Sequence, residues 1–138
     1  MRIMAIDYGD AHTGIAISDP TGFLAGFTTA INAYRPEAVA EQISALAKEH
    51  GVEELVLGHP INMDGTRGPR SEKAQAMKTL LEETTSLPVV LWDERRTTID
   101  AHQILMNSGK NAKKRKKVVD AVAATLILEG YLTYKKTH

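Results

Sequence analysis

The sequence predicts an α/β domain on a mixed five-stranded sheet, an antiparallel three-strand meander continued by two parallel strands and flanked by helices. Three observations carry this. The chain opens with three short apolar runs separated by turn-rich segments. Two fully apolar runs later alternate with segments of helical period, the pattern of parallel strands joined by crossovers. The length of 138 residues, 43% of them hydrophobic, suffices for one core, so a single domain over residues 1–138 is expected.

The elements follow in order. Ile3-Met4-Ala5-Ile6 reads as a buried strand, and Gly14 to Ser18 as its neighbour after the turn-rich segment Asp7 to Thr13. Asp19-Pro20-Thr21-Gly22 reverses the chain into a third strand, Phe23 to Thr29. Pro36 starts a helix in which Ala38, Val39, Ile43, Leu46 and Ala47 recur at helical spacing, and Gly51 stops it. Leu55-Val56-Leu57 is a short strand of the buried parallel kind and runs into a loop from Gly58 to Pro69. A second helix spans about 70–84, with Ala74, Met77, Leu80 and Leu81 inward. Pro88 introduces the strand Val89 to Trp92, which ends in Asp93-Glu94-Arg95-Arg96. A third helix is expected over 98–108, closed by Gly109, then a basic loop and a last helix over 118–134.

This is the ribonuclease H-like order of elements, and a three-layer α/β arrangement with another strand order fits the pattern almost as well. Cysteine is absent, which excludes disulfide frameworks, thiolate zinc sites and cysteine nucleophiles and points to the cytoplasm. Neither a signal-peptide core nor an apolar run of membrane-spanning length appears. The P-loop, the dinucleotide fingerprint, the serine-hydrolase elbow and the zinc-protease motif are all missing. The formal net charge of zero hides an asymmetry: residues 110–138 hold eight basic and two acidic side chains, residues 1–109 nine and fifteen. Such polarity fits a polyanion-facing edge on an acidic body, and equally a solvated basic loop.

Three carboxylates stand out. Asp7 closes the first strand where the chain turns through Gly9; a lone Asp there is otherwise an Asx turn. Glu94, with Asp93 as the competing neighbour, follows the last strand at the end where α/β sheets place ligands. Asp120 shares a helix face with Ala124, Ile127 and Tyr131, an apolar stripe that should face inward, although an acid near a helix start is also favoured by the dipole. Gathered together, the three would hold hard divalent ions, Mg²⁺ or Mn²⁺, and two such ions about 4 Å apart can activate water against a phosphodiester. Lys113, Lys114, Arg115, Lys116 and Lys117 would then neutralise nucleic-acid phosphates. The loop after the fourth strand offers Asn62 and Arg67 as further contacts, and His59 beside a proline reads as structural.

Asp7-Tyr8-Gly9 with Gly14-Ile15-Ala16, Gly58-His59-Pro60-Ile61-Asn62-Met63-Asp64-Gly65, Asp93-Glu94-Arg95-Arg96-Thr97-Thr98 and Asp120-Ala121-Val122-Ala123-Ala124 resemble, in order and spacing, the YqgF or RuvX family. The resemblance covers essentially the whole chain. It implies a ribonuclease H-like fold related to Holliday junction resolvases, and a cytoplasmic nuclease that processes the 5′ end of pre-16S ribosomal RNA, with ribosomal particles as partners. It maps the acidic site to Asp7, Glu94 and Asp120, and it fits nucleic-acid contacts at Gly9, Asn62, Arg67, Arg95 and 113–117. Two departures from the family pattern occur: Ala11 and His12 replace a frequent basic pair, and His59 an apolar residue; Gly58-His59-Pro60 also stands where related resolvases carry an acid, which speaks against junction resolution. Branched DNA is the competing substrate, and a non-catalytic nucleic-acid-binding module the competing class. The Asp-x-Gly opening also resembles sugar-kinase and actin-type ATPases, which need two such domains.

Overall fold

A computed structural model describes residues 1–22, 25–60, 68–93 and 112–137, the last segment with side chains over 122–136. Its strands are β1 (Arg2–Asp7), β2 (His12–Ser18), β3 (Ala25–Asn32), β4 (Val52–His59) and β5 (Val89–Asp93). The helices are α1 (Pro36–His50), α2 (Pro69–Thr85) and α3 (Ala112–Thr137). One sheet takes the order β3-β2-β1-β4-β5, antiparallel across β3-β2-β1 and parallel across β1-β4-β5, as the sequence predicts.

Two cores flank this sheet because the period-2 alternation of β1, β2 and β4 is apolar on both sides. Met4, Ile6, Ile15, Ile17, Leu55 and Leu57 pack under α1 and α2 with Val39, Ile43, Met77 and Leu81. Ile3, Ala5, Ala16, Val56 and Trp92 pack under α3 with Ala124, Ile127, Leu128 and Tyr131. Ala124, Ile127 and Tyr131 are buried, so the expected apolar stripe of the last helix does face inward. Small residues at Ala5, Ala16 and Ala124 let this helix approach the sheet closely.

The helix ends follow local chemistry. Pro36 and Pro69 sit in the first turns of α1 and α2, where a missing N–H costs nothing. Gly51 closes α1 at φ 67°, and Ser86 closes α2 at φ 59°, both left-handed caps donating back into the helix.

The structure departs from expectation at several boundaries. β2 begins at His12, two residues early, because His12 and Thr13 pair with Asn32 and Ile31. β3 runs on to Asn32 rather than ending at Thr29 for the same reason. Its first expected residues, 23 and 24, lie outside the described residues, as does the helix expected over 98–108. The basic segment 113–117 is helical, the first turns of α3 and not a loop; Ala, Lys and Arg are strong helix formers, and no Gly or Pro interrupts 112–128. Among the described residues no helix is long and apolar enough to cross a membrane.

Candidate active site

Asp7 is the last residue of β1, half-buried at the carboxyl edge of the sheet. Alternation along β1 puts it on the side of Ile3 and Ala5, the face that α3 covers. Its antiparallel partner on β2 is Gly14. On the other flank the parallel register pairs Ile6 with Leu57, so one step further Asp7 stands beside Gly58. The carboxylate therefore rises between two residues without side chains. Among the described residues no side-chain hydrogen bond or ion pair engages it, so it forms no Asx turn there.

Trp92 pairs with Gly58 and His59 with Asp93, which brings the ends of β1, β4 and β5 to one edge. Alternation groups Asp93 with Val89 and Leu91, on the side of α2 and away from Asp7. Glu94, Arg95, Asn62 and Arg67 lie outside the described residues. Position 120 and positions 113–117 belong to the helical backbone of α3.

The far end of α3 is anchored firmly. The Tyr131 hydroxyl donates to the Glu54 carboxylate, and Lys135 Nζ lies 3.4 Å from the same group. Burial, and then the carboxylate beside it, holds the Tyr131 phenol protonated well above the usual range. Trp92 meets Tyr131 and Tyr134 edge-on, both at 5.8 Å between centroids.

Other candidates resolve into structural roles. His59 is buried and bonds through Nε2 to Ser71 Oγ at 2.6 Å, tying the end of β4 to the start of α2. His12 Nδ1 pairs with Asn32 Oδ1 at 2.6 Å across β2 and β3. Gly9 has a steric reason to be glycine: a Cβ there would lie 2.4 Å from the His12 carbonyl oxygen. On the α2 side of the same edge stand three residues with no sequence signal beyond an isolated charge or ring: Tyr8, Asp10 and Lys73. Lys73 Nζ contacts Asp10 Oδ1 at 2.9 Å and, with this hydrogen bond first, holds the Asp10 carboxyl below its ordinary value. Burial, followed by the Asp10 charge, raises the Tyr8 phenol, which stays a proton donor at neutral pH.

Among the described residues no three carboxylates or histidines converge on a metal position. Two of the three expected ligands lie beyond that description, Glu94 altogether and Asp120 by its side chain. The expected donors are all carboxylate oxygens, the set that hard divalent cations take.

The same architecture occurs in Thermus thermophilus RuvC in complex with a Holliday junction substrate, at TM-score 0.64 and 13% identity over 99% of this chain and 96% of that one. The fowlpox virus resolvase in complex with Holliday junction DNA aligns at TM-score 0.59 and 9% identity, over 98% and 99% of the two chains. The fold is thus the ribonuclease H-like fold of the resolvases. The family described as RuvX, Holliday junction resolvase, matches residues 1–134, and the chain belongs to that family of nucleases. A relative from Halothermothrix orenii, named "Putative pre-16S rRNA nuclease", is 44% identical over 98% of this chain and 96% of its own. One of the same name from Bacillus subtilis is 44% identical over 96% and 97%.

Proposed function

We propose that the chain is a divalent-metal-dependent nuclease that hydrolyses phosphodiester bonds of structured RNA in the cytoplasm and processes the 5′ end of pre-16S rRNA. The observation that carries this is Asp7: a half-buried carboxylate without a partner among the described residues, flanked by Gly14 and Gly58 at the carboxyl edge of the sheet. The substrate class follows the names of relatives 44% identical over nearly their full length.

Asp7, Glu94 and Asp120 are the proposed metal ligands and catalytic residues. Two geometric arguments support grouping them. The anchor of Tyr131 is Glu54, which pairs with Ile3 at the start of β1. Counting back to position 120 covers eleven residues, about 16 Å of helix, against about 13 Å for the four residues from Ile3 to Asp7. A helix running back from that anchor thus has the length to bring Asp120 to Asp7. Asp93 alternates with Val89 and Leu91 and not with Trp92, which favours Glu94 over Asp93 as the proposed ligand. Mg²⁺ or Mn²⁺ held there would supply positive charge to the phosphodiester under attack by water. The glycines beside Asp7 leave room for the phosphate, and the first turns of α3, with Lys113, Lys114, Arg115, Lys116 and Lys117, would hold the flanking backbone. Gly9, Asn62, Arg67 and Arg95 are proposed as further contacts at the same edge.

The test is cleavage of a labelled RNA spanning the 5′ boundary of precursor 16S rRNA, with Mg²⁺, Mn²⁺ or chelator, by wild type and Asp7→Asn. Metal-dependent cleavage that Asp7→Asn loses while keeping wild-type circular dichroism is the expected result. Equal rates for the two proteins would overturn the site. The family description favours branched DNA as a second reading; faster cleavage of a four-way junction than of the RNA would select it. Binding without cleavage under any metal, unaffected by loss of all three carboxylates, would instead select a non-catalytic module.

A further inference from the structure

Tyr8 follows Asp7 and points to the opposite side of the sheet, where it packs against the core under α1 and α2. There it forms a wall between two adjoining hollows. The larger, about 410 Å³, lies between α1 and α2, with the Tyr8 and Tyr34 rings, Pro36, Met77 and Leu80 among its lining. Its polar groups are Asp10, Glu37 and Lys73. The smaller, about 180 Å³, shares Tyr8, Asp10 and Lys73 and continues to Gly9, Gly58 and Arg70 at the strand ends. A larger hollow of this size falls within the range of small-molecule pockets, roughly 300–1,000 Å³. Asp10 and Lys73 line both spaces; Tyr34, the apolar floor and Glu37 belong to the larger, and Arg70 and the two glycines to the smaller.

We infer that this groove binds one unpaired nucleotide of the RNA substrate, its base in the larger hollow against Tyr8 and Tyr34 and its phosphate in the smaller hollow at Arg70 and Lys73. This rests on the nuclease reading and extends it by giving the substrate an unpaired nucleotide beside the scissile bond. The charge pattern selects the orientation. Asp10 and Glu37 can accept hydrogen bonds from the exocyclic amino groups of adenine, cytosine and guanine or the ring N–H of uracil, donors that a phosphate lacks. Lys73 gives one N–H to Asp10 and has two more for a phosphate oxygen, while Arg70 acts on the Asp10 charge and adds a planar fork of donors. Tyr34 is 81% exposed, so a large ring stands at the mouth with no packing role among the described residues. Base-on-ring stacking tolerates any sequence, which suits a site that recognises an unpaired nucleotide and not a particular base. The groove opens one residue from Asp7, so a strand crossing the sheet edge would enter it directly after leaving the carboxylate.

The experiment is fluorescence anisotropy of the full chain, in chelator, with a labelled single-stranded RNA octamer and with a blunt RNA duplex. Wild type, Tyr34→Ala and Lys73→Gln are compared, both substitutions at exposed side chains that leave the fold intact. Tyr34→Ala should weaken the single strand about five- to hundredfold, the range of one lost base stack, and change the duplex less than twofold. Lys73→Gln should weaken the single strand likewise. AMP should shift the Tyr34 ring resonances, which line only the larger hollow, and inorganic phosphate should not. Single-strand affinities within twofold of wild type for both variants, or shifts with inorganic phosphate equal to those with AMP, would overturn the assignment. Neither result bears on the nuclease reading, which fails separately if Asp7→Asn cleaves like wild type.

Discussion

Substitution of Gly9 by alanine separates a glycine kept for the turn from one kept for a ligand. The added Cβ would sit 2.4 Å from the His12 carbonyl oxygen, a backbone atom that cannot rotate away. Carbon-to-oxygen contacts settle at about 3.3 Å or beyond, so the turn between β1 and β2 must open by about 0.9 Å. Overpacking of this kind costs about 1–3 kcal/mol. For a chain of this length each kcal/mol lowers Tm by about 3–5 °C, so Gly9→Ala should melt about 3–15 °C below wild type. The displaced backbone lies two residues from Asp7, and misplacing a reacting group by 1 Å can cost about a hundredfold in rate. Thermal denaturation followed by circular dichroism, with RNA binding measured in chelator well below Tm, is the assay. The expected outcome is a lowered Tm together with weaker RNA binding, since the displaced backbone is also a proposed RNA contact. A Tm within 1 °C of wild type would refute the steric reasoning, and lost binding at unchanged Tm would assign the glycine to the ligand.

Two further substitutions probe the supports of the site. Ile127→Ala empties a fully enclosed position between α3 and the sheet and should cost about 2–5 kcal/mol in urea unfolding; a loss below 0.5 kcal/mol would mean that α3 is not packed as described. The Lys73 contact lowers the Asp10 pKa, so its stabilising effect is present above the ordinary value of 3.8 and is lost as pH falls through the folded value. Carboxyl NMR should therefore show a lower titration midpoint for Asp10 in wild type than in Lys73→Met, and identical midpoints would remove the ion pair from solution.

The order of strands and helices was readable because each element carries its own period and punctuation. Ile3-Met4-Ala5-Ile6 and Leu55-Val56-Leu57 are apolar on both faces, Pro36 and Gly51 bracket α1, and Ala124, Ile127 and Tyr131 mark the buried stripe of α3. The place of Asp7 at the end of β1 was readable too, since an acid ending an apolar strand is a local feature. Boundaries were less so: the extra residues of β2 and β3 come from pairing His12 with Asn32, a long-range register that no local period encodes. The helical start at Ala112 was hidden by a run of charge that reads as loop, although its residues favour a helix.

Other features were decided by tertiary structure alone. Gly14 and Gly58 are unremarkable in sequence until register sets one on each side of Asp7. Lys73 and Asp10 are 63 residues apart and meet because α2 packs against the edge where β1 turns. Tyr34 and Tyr8 line one hollow for the same reason. Local periodicity determines which elements form, because it depends on neighbours a few residues away. Which side chains share a site depends on strand register and helix packing, and those arise only when distant segments bury their apolar faces together.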